Sequence, residues 1–397
     1  MINIRELRPV HPFPARMAAS IPLQKLTGAR RPLTVVDPMN GSGTTVYMAR
    51  ALGHRAIGFD TDPLARVVAR VWCGDLDEAK LRSTATRVWA KAERVWRSLP
   101  ARHAYPCDAD EETKQFVRYW FDLKNRKQLA ALSREIAGVG DEVIAEQLWC
   151  ALSRLIIVKQ TGASLAMDVA HSRPHRVYRV APMRAQERFL ASVEFIIRAK
   201  RGQRAPGTYR IETADARLLP MQSCSADLVI TSPPYLNAID YLRGHKLSLV
   251  WMGFTIKQIR SLRATNIGSE VGVPPRVEHE AILAKVIDSG NAEPRLRKMM
   301  ARYLVDMHAV LREADRILRP RCEAVFVVGD CTIRGSFVRN SKAIVELGEL
   351  VGLRLVSSVR RRIPSARRYL PPPSTQLSGQ ALRSRMRTEA VITLVKR

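Results

Sequence analysis

The stretch Leu33-Thr-Val-Val-Asp37-Pro38-Met-Asn-Gly41-Ser-Gly43-Thr44-Thr45 decides the fold. A β-branched run ends in an acid, a glycine-rich turn follows, and Val46–Leu52 continue with helical spacing. Glycines after a strand let the backbone turn sharply and bring the next helix N-terminus up to a ligand. A phosphate-cradling loop would close with Gly-Lys-Ser/Thr; the lysine is missing, so the expected ligand lacks phosphates. Arg55–Asp60 reads as the next strand and Pro63–Trp72 as its helix. Strand, turn, helix, strand, helix is the pattern of a parallel sheet with crossovers. Asp60 ends the second strand, where an acid in a doubly wound fold bonds ribose hydroxyls, so turn and Asp60 together point to an adenosine-containing cofactor. A plain helix-capping role for Asp60 stays open.

Outward from there the alternation stops. Residues 77–205 read as helical, as in Thr113–Ile136 and Asp141–Lys159, with no convincing strand. Strands resume at Tyr209–Thr213, Asp227–Thr231, Glu323–Asp330, Leu353–Val359 and Ala390–Lys396. The chain therefore divides into a first half of an α/β unit (1–76), a helical insertion (77–207) and the second half (208–397). Trp120, Phe121 and Trp149, at helical spacing, read as core. Two segments read as exposed and irregular, Arg263–Arg276 and Arg360–Arg387. The second carries Arg360, Arg361, Arg362, Arg367, Arg368, Arg383, Arg385 and Arg387, and suits contacts to phosphates.

Among 397 residues, 46% are hydrophobic and 26% charged, which excludes disorder throughout. Lys and Arg number 65 against 37 Asp and Glu, a net charge of +28. Such a surface attracts a polyanion, nucleic acid first, although an arginine-rich proteome would leave the same mark. The six cysteines, at 73, 107, 150, 224, 322 and 331, form no Cys-x-x-Cys pair and read as buried, reduced thiols. The N-terminal stretch lacks the apolar region of a signal peptide, and no run approaches the ~18 apolar residues of a membrane span. A cytoplasmic protein is expected.

A second motif, Thr231-Ser232-Pro233-Pro234-Tyr235, ends an apolar strand. Two prolines remove two donors and fix two φ angles, leaving carbonyls and the Ser232 hydroxyl beside an aromatic ring. That is an acceptor pocket next to a stacking platform, suited to a planar base with an exocyclic amine.

Together the two motifs resemble motifs I and IV of the amino-group DNA methyltransferases, the N4-cytosine/N6-adenine family. His11-Pro-Phe-Pro-Ala-Arg-Met17 is similar to their motif X, and Asn237–Gly253 looks like a subgroup of these enzymes. The resemblance covers about 1–75 and 208–397. It implies an α/β, class I Rossmann-like fold with a seven-stranded, mostly parallel sheet and a large helical insertion. It also implies a cofactor, S-adenosyl-L-methionine, over the Gly41/Gly43 turn, with its ribose on Asp60 and its adenine near Asp215. Asp37 and Pro38 would shape the turn near the sulfonium, Thr44 or Thr45 would meet the carboxylate, and Phe13 and Pro14 would close over the methionine end. The flipped base would stack on Tyr235 and donate its amine protons to Ser232 and the Pro233 carbonyl, with Pro234 stiffening the loop.

The reaction implied is direct methyl transfer to double-stranded DNA, with no metal and no cysteine nucleophile. Ser at the first tetrapeptide position is more typical of N4-cytosine enzymes, and Asp or Asn of N6-adenine ones. N6-adenine methylation, RNA methylation and an idle DNA-binding relative remain alternatives. The chain shows no nuclease motif, so a cognate restriction endonuclease would be a separate chain. Two departures stand out. Arg319-Pro-Arg-Cys-Glu323 replaces a glycine-rich turn, and His171-Ser-Arg-Pro-His-Arg176 reads as a loop near DNA or the active site, since Pro174 opposes a helix.

Overall fold

Short β-branched runs bounded by turns become strands, and aspartates punctuate the helices between them. The computed structural model describes residues 7–14, 16–203, 205–234, 240–268, 273–287, 293–333, 336–363 and 387–397. Helix α1 (Ser20–Leu26) precedes strand β1 (Thr34–Asp37), helix α2 (Thr44–Ala51), strand β2 (Arg55–Phe59) and helix α3 (Pro63–Cys73). The helical block follows: α4 (Glu78–Trp96), α5 (Glu111–Trp120), α6 (Leu123–Ala137), α7 (Glu142–Ile156) and α8 (Ala185–Lys200). Between α7 and α8 lies a small hairpin, β3 (Ala166–Met167) and β4 (His175–Arg176). Strands β5 (Thr208–Glu212) and β6 (Ala226–Thr231) re-enter the sheet, and α9 (Tyr241–Leu249), α10 (Ile256–Ala264), α11 (Val277–Val286) and α12 (Pro294–Ile317) cross back to β7 (Leu318–Val328). Strands β8 (Cys331–Ile333) and β9 (Ser336–Val338), helix α13 (Asn340–Leu350), β10 (Leu353–Arg362) and β11 (Thr388–Lys396) complete the order.

The main sheet has seven strands in the order β10-β11-β7-β6-β1-β2-β5. All pairings are parallel except those of β11, which runs antiparallel to both β10 and β7. This is the Rossmann-like α/β sheet expected from the sequence. Side chains alternate across it. Val35, Ala56, Ile230 and Val327 face one core, and Val36, Ile57, Val229 and Phe326 the other. The helical block joins the first of these cores, with Leu81, Leu132, Leu148 and Phe189 fully buried in it. Trp120 and Trp149 pack against this core, and Phe121 lies inside it, edge-on to Trp251 at 5.3 Å.

Asp62, Asp77, Asp110, Asp122 and Asp141 cap α3 to α7 in turn, each carboxylate accepting from a backbone N–H of the first turn. A cap of this kind contributes about 1 kcal/mol. Asp122 explains why the continuous helix expected over 113–136 is two helices: it caps a new one two residues after Trp120.

Several expectations need correction. The helical block contains a hairpin, and His171–Arg176 spans a short helical turn and β4 rather than a plain loop. Arg319–Glu323 is strand, not turn; Arg321 takes a left-handed φ of 63° where the β6–β7 register shifts. Arg360, Arg361 and Arg362 lie on β10, paired through Arg362↔Thr388, and not on a loop; Arg387 sits just before β11, while Arg367, Arg368, Arg383 and Arg385 fall outside the described residues. All six cysteines are free, but only Cys73 and Cys150 are buried, and Cys107 and Cys224 are exposed. No helix among the described residues is long and apolar enough to cross a membrane.

Candidate active site

Strand β1 is flanked by β2 and β6, and the connections leave it in opposite directions. At such a switch point a crevice opens beyond the carboxyl ends of the strands. A cavity of about 1130 Å³ occupies that place, lined by the turn after β1, Asp60 after β2, Asp215 after β5 and Ser232 after β6. Phe13, Arg16 and Met17 line it from the N-terminal segment.

The turn is held from below. Gly41 takes a φ of +50°, and its N–H donates to Asp60 Oδ2 at 2.7 Å; the Asp62 N–H donates to Asp60 Oδ1 at 2.9 Å. Gly43 is the left-handed N-cap of α2, and a Cβ there would meet the Ala69 Cβ at 2.9 Å. Gly43 thus serves the α2–α3 approach and does not line the cavity, whereas a Cβ on Gly41 would face the Phe13 ring at 3.6 Å. Thr44 lines the cavity at the start of α2. Thr45 turns inward and donates to the Ile230 carbonyl at 3.3 Å.

Two buried carboxyls stand here. Burial pushes Asp37 up to about 7, against hydrogen bonds from Thr231, Thr45 and the Met39 N–H. Thr231 Oγ1 donates to Asp37 Oδ1 at 2.7 Å, tying the end of β6 to the end of β1. Burial, with Asp62 alongside, pushes Asp60 up to about 6. Asn40 is buried on the cavity wall, and both polar atoms of its amide lack a hydrogen-bond partner. An amide in that state marks a place where a polar ligand is missing. Asn40 lies inside the stretch that decides the fold, yet nothing in its spacing singled it out.

The cover over the turn is anchored from two sides. Phe13 stacks on Tyr241 at 6.0 Å and tilts onto His245 at 5.0 Å. The fully buried His245 donates from Nδ1 to Asp62 Oδ2 at 2.5 Å, and Asp62 Oδ1 also caps α3. Burial alone would raise Asp62, but His245 and the backbone donors hold it below its usual value. On the other side, His11 Nε2 meets Ser153 Oγ at 2.9 Å, and Arg154 donates to the Val10 carbonyl at 2.7 Å. The helical block therefore holds the strap through α7. Pro14 is buried within the strap but does not line the cavity. Asp62-Pro63 was legible as a helix start; its link to His245 was not.

Ser232 follows β6 and donates from Oγ to the Val327 carbonyl on β7 at 3.1 Å. The hydroxyl expected to be unengaged has thus committed its proton, so toward the cavity its oxygen acts as an acceptor. Pro233 is buried, Pro234 lines the cavity beside Ser232, and Tyr235 lies outside the described residues. Asp240 then caps α9 and pairs with Arg263 at 2.8 Å. Asp215 also lines the cavity, its carboxylate gripped by Arg217, which reaches on to Asp306 at 2.6 Å. Pro38 lines the cavity next to Asp37.

No protein-family model matches the chain. It is similar to the type II methyltransferase M.BsoBI of Geobacillus stearothermophilus, 23% identical over 326 residues, which cover 73% of this chain and 60% of that protein. It is similar along 99% of its length to the type II methyltransferase M.MvaI of Kocuria varians, at 20% identity and 92% coverage of that protein. Among solved structures, the S-adenosyl-L-methionine complex of TTHA0409 from Thermus thermophilus, titled a DNA modification methylase, is 18% identical. It covers 46% of this chain and 51% of that one, with a TM-score of 0.23, too low for the overlay to speak to function. In sequence the chain is thus a relative of type II methyltransferases, spanning about 60% of M.BsoBI.

Proposed function

We propose that the chain is an S-adenosyl-L-methionine-dependent DNA methyltransferase acting on the exocyclic N4 amine of cytosine, in a base flipped from a specific duplex sequence. One observation carries the reading: the Ser232 oxygen, with its proton committed to Val327, lines the same cavity as Gly41 and Asp60. An acceptor for an amine and a cradle for a nucleoside then share one space.

The residues fit the cofactor. The unpartnered Asn40 amide, the left-handed Gly41 turn under Phe13 and the carboxyls of Asp37, Asp60 and Asp215 offer polar and acidic partners on one wall. Asp60 would take the ribose hydroxyls and Asp215 the adenine edge. Thr44, rather than the inward-turned Thr45, would meet the carboxylate at the start of α2, and Phe13 with Pro14 would cover the methionine end. When bound, S-adenosyl-L-methionine supplies an electrophilic methyl carbon on a sulfonium. Ser232 and the Pro233 carbonyl would accept the two amine protons, draw density to nitrogen and aim its lone pair at that carbon. Tyr235 would stack on the base. Positioning and oriented acceptors supply the rate, without a covalent enzyme intermediate.

The raised carboxyls make cofactor binding pH-dependent. A buried acid raised above its unfolded value of about 4 favours the protonated folded form, so the ligand-free chain loses stability as pH rises from about 4 to 7. A sulfonium beside Asp37 and Asp60 favours their ionised forms. Affinity for S-adenosyl-L-methionine is therefore expected to rise about tenfold between pH 5.5 and 7.5, with protons released on binding. Calorimetry in two buffers of different ionisation heat reads both quantities. Affinity independent of pH, with no proton released, would remove Asp37 and Asp60 from the cofactor's surroundings; no binding at any pH would remove the cofactor.

A further inference from the structure

Helix α12 has 24 residues and so extends about 36 Å. Its end runs directly into β7, where Leu318 pairs with Ala226 at the start of β6. The first turns of α12 consequently stand at the opposite edge of the sheet, where the cavity opens. Lys298 and Arg302 lie four residues apart there, one above the other on the same helix face. Both line the large cavity, and both also line a second cavity of about 440 Å³ bounded by Leu283 of α11 and by Pro274-Pro275. They form the ridge between the two.

Charge separates along the large cavity: the carboxyls of Asp37, Asp60 and Asp215 stand on the strand ends, and cations on the helices at its mouth. Most of those cations are matched. Arg260 pairs with Glu112 and Arg263 with Asp240. Farther along the sheet, Arg360 pairs with Asp330 and Arg361 with Glu389. Lys298 and Arg302 have no carboxylate partner among the described residues. Two unmatched cations one turn apart, about 6 Å of helix rise, suit successive phosphates of one strand.

We infer that the Lys298–Arg302 ridge carries the phosphate backbone of the substrate DNA strand next to the flipped nucleotide, on the way to the second cavity. This rests on the DNA-methyltransferase reading above, and it moves the phosphate contacts from the Arg360–Arg387 segment to α12.

The test compares the intact chain with Lys298→Gln/Arg302→Gln, and with Arg360→Gln/Arg361→Gln as a control. Duplex DNA binding is titrated by fluorescence anisotropy across a salt series, and S-adenosyl-L-methionine affinity is measured in parallel. The α12 pair should weaken DNA binding about 10- to 100-fold at low salt and flatten the slope of log affinity against log salt by about 1.8. Its cofactor affinity should stay within twofold, and the control should keep the original slope. An unchanged slope in the α12 pair, with a wild-type chain that binds DNA normally, overturns the ridge alone. A wild-type chain that binds structured RNA and not duplex DNA overturns it together with the function it rests on.

Discussion

Ser232→Ala should lower kcat for methyl transfer about 100- to 1000-fold while S-adenosyl-L-methionine affinity stays within about twofold. The magnitude is that of removing one preorganised partner from the charge that develops in a transition state. Ser232 qualifies because its donor is already spent on Val327, so no reorganisation is needed when an amine arrives. The separation of effects follows from placement, since the turn, Asp60 and Asn40 come from β1 and β2 while Ser232 comes from β6. Single-turnover kinetics with labelled cofactor, beside calorimetry, reads the split. Wild-type turnover in the variant would take Ser232 out of the chemistry.

Asp60→Ala should do the reverse, weakening S-adenosyl-L-methionine about 100-fold. Two backbone donors, Gly41 N–H and Asp62 N–H, lose a charged acceptor, and the turn loses the bond that shapes it. A hydrogen bond to a charged group contributes about 1.5–3 kcal/mol, and the proposed ribose contacts go with it. Asp60→Asn keeps an acceptor and should recover part of the loss. At saturating cofactor, turnover should fall only a few-fold. Undiminished affinity in Asp60→Ala would place the ribose elsewhere.

Much of this site was legible because of where its parts sit in the chain. Each strand of the sheet is a short β-branched run, and the residue after a strand's carboxyl end carries function in a doubly wound sheet. Asp37, Asp60, Asp215 and Ser232 all occupy that position, so reading strands one at a time brought them to one cavity. What was not legible depends on partners far apart in sequence. Asp62 and His245 are separated by 183 residues, and neither has a spacing that announces the other. The choice between Thr44 and Thr45 turns on a hydrogen bond to Ile230 that only the packed sheet defines. Arg360–Arg362 looked like loop because charge masked a strand that β11 completes by pairing. The Lys298–Arg302 ridge was hidden for a related reason: a basic helix face is ordinary until its acids are found to be elsewhere.

The central claim is that this cavity brings a flipped cytosine amine to a methyl donor. It is tested most directly by incubating duplex DNA with the protein and isotope-labelled S-adenosyl-L-methionine, then analysing the nucleosides by mass spectrometry. Labelled N4-methylcytosine is the predicted product. Labelled N6-methyladenine would contradict the choice of base while keeping the mechanism, and DNA without label in any base would contradict the claim itself.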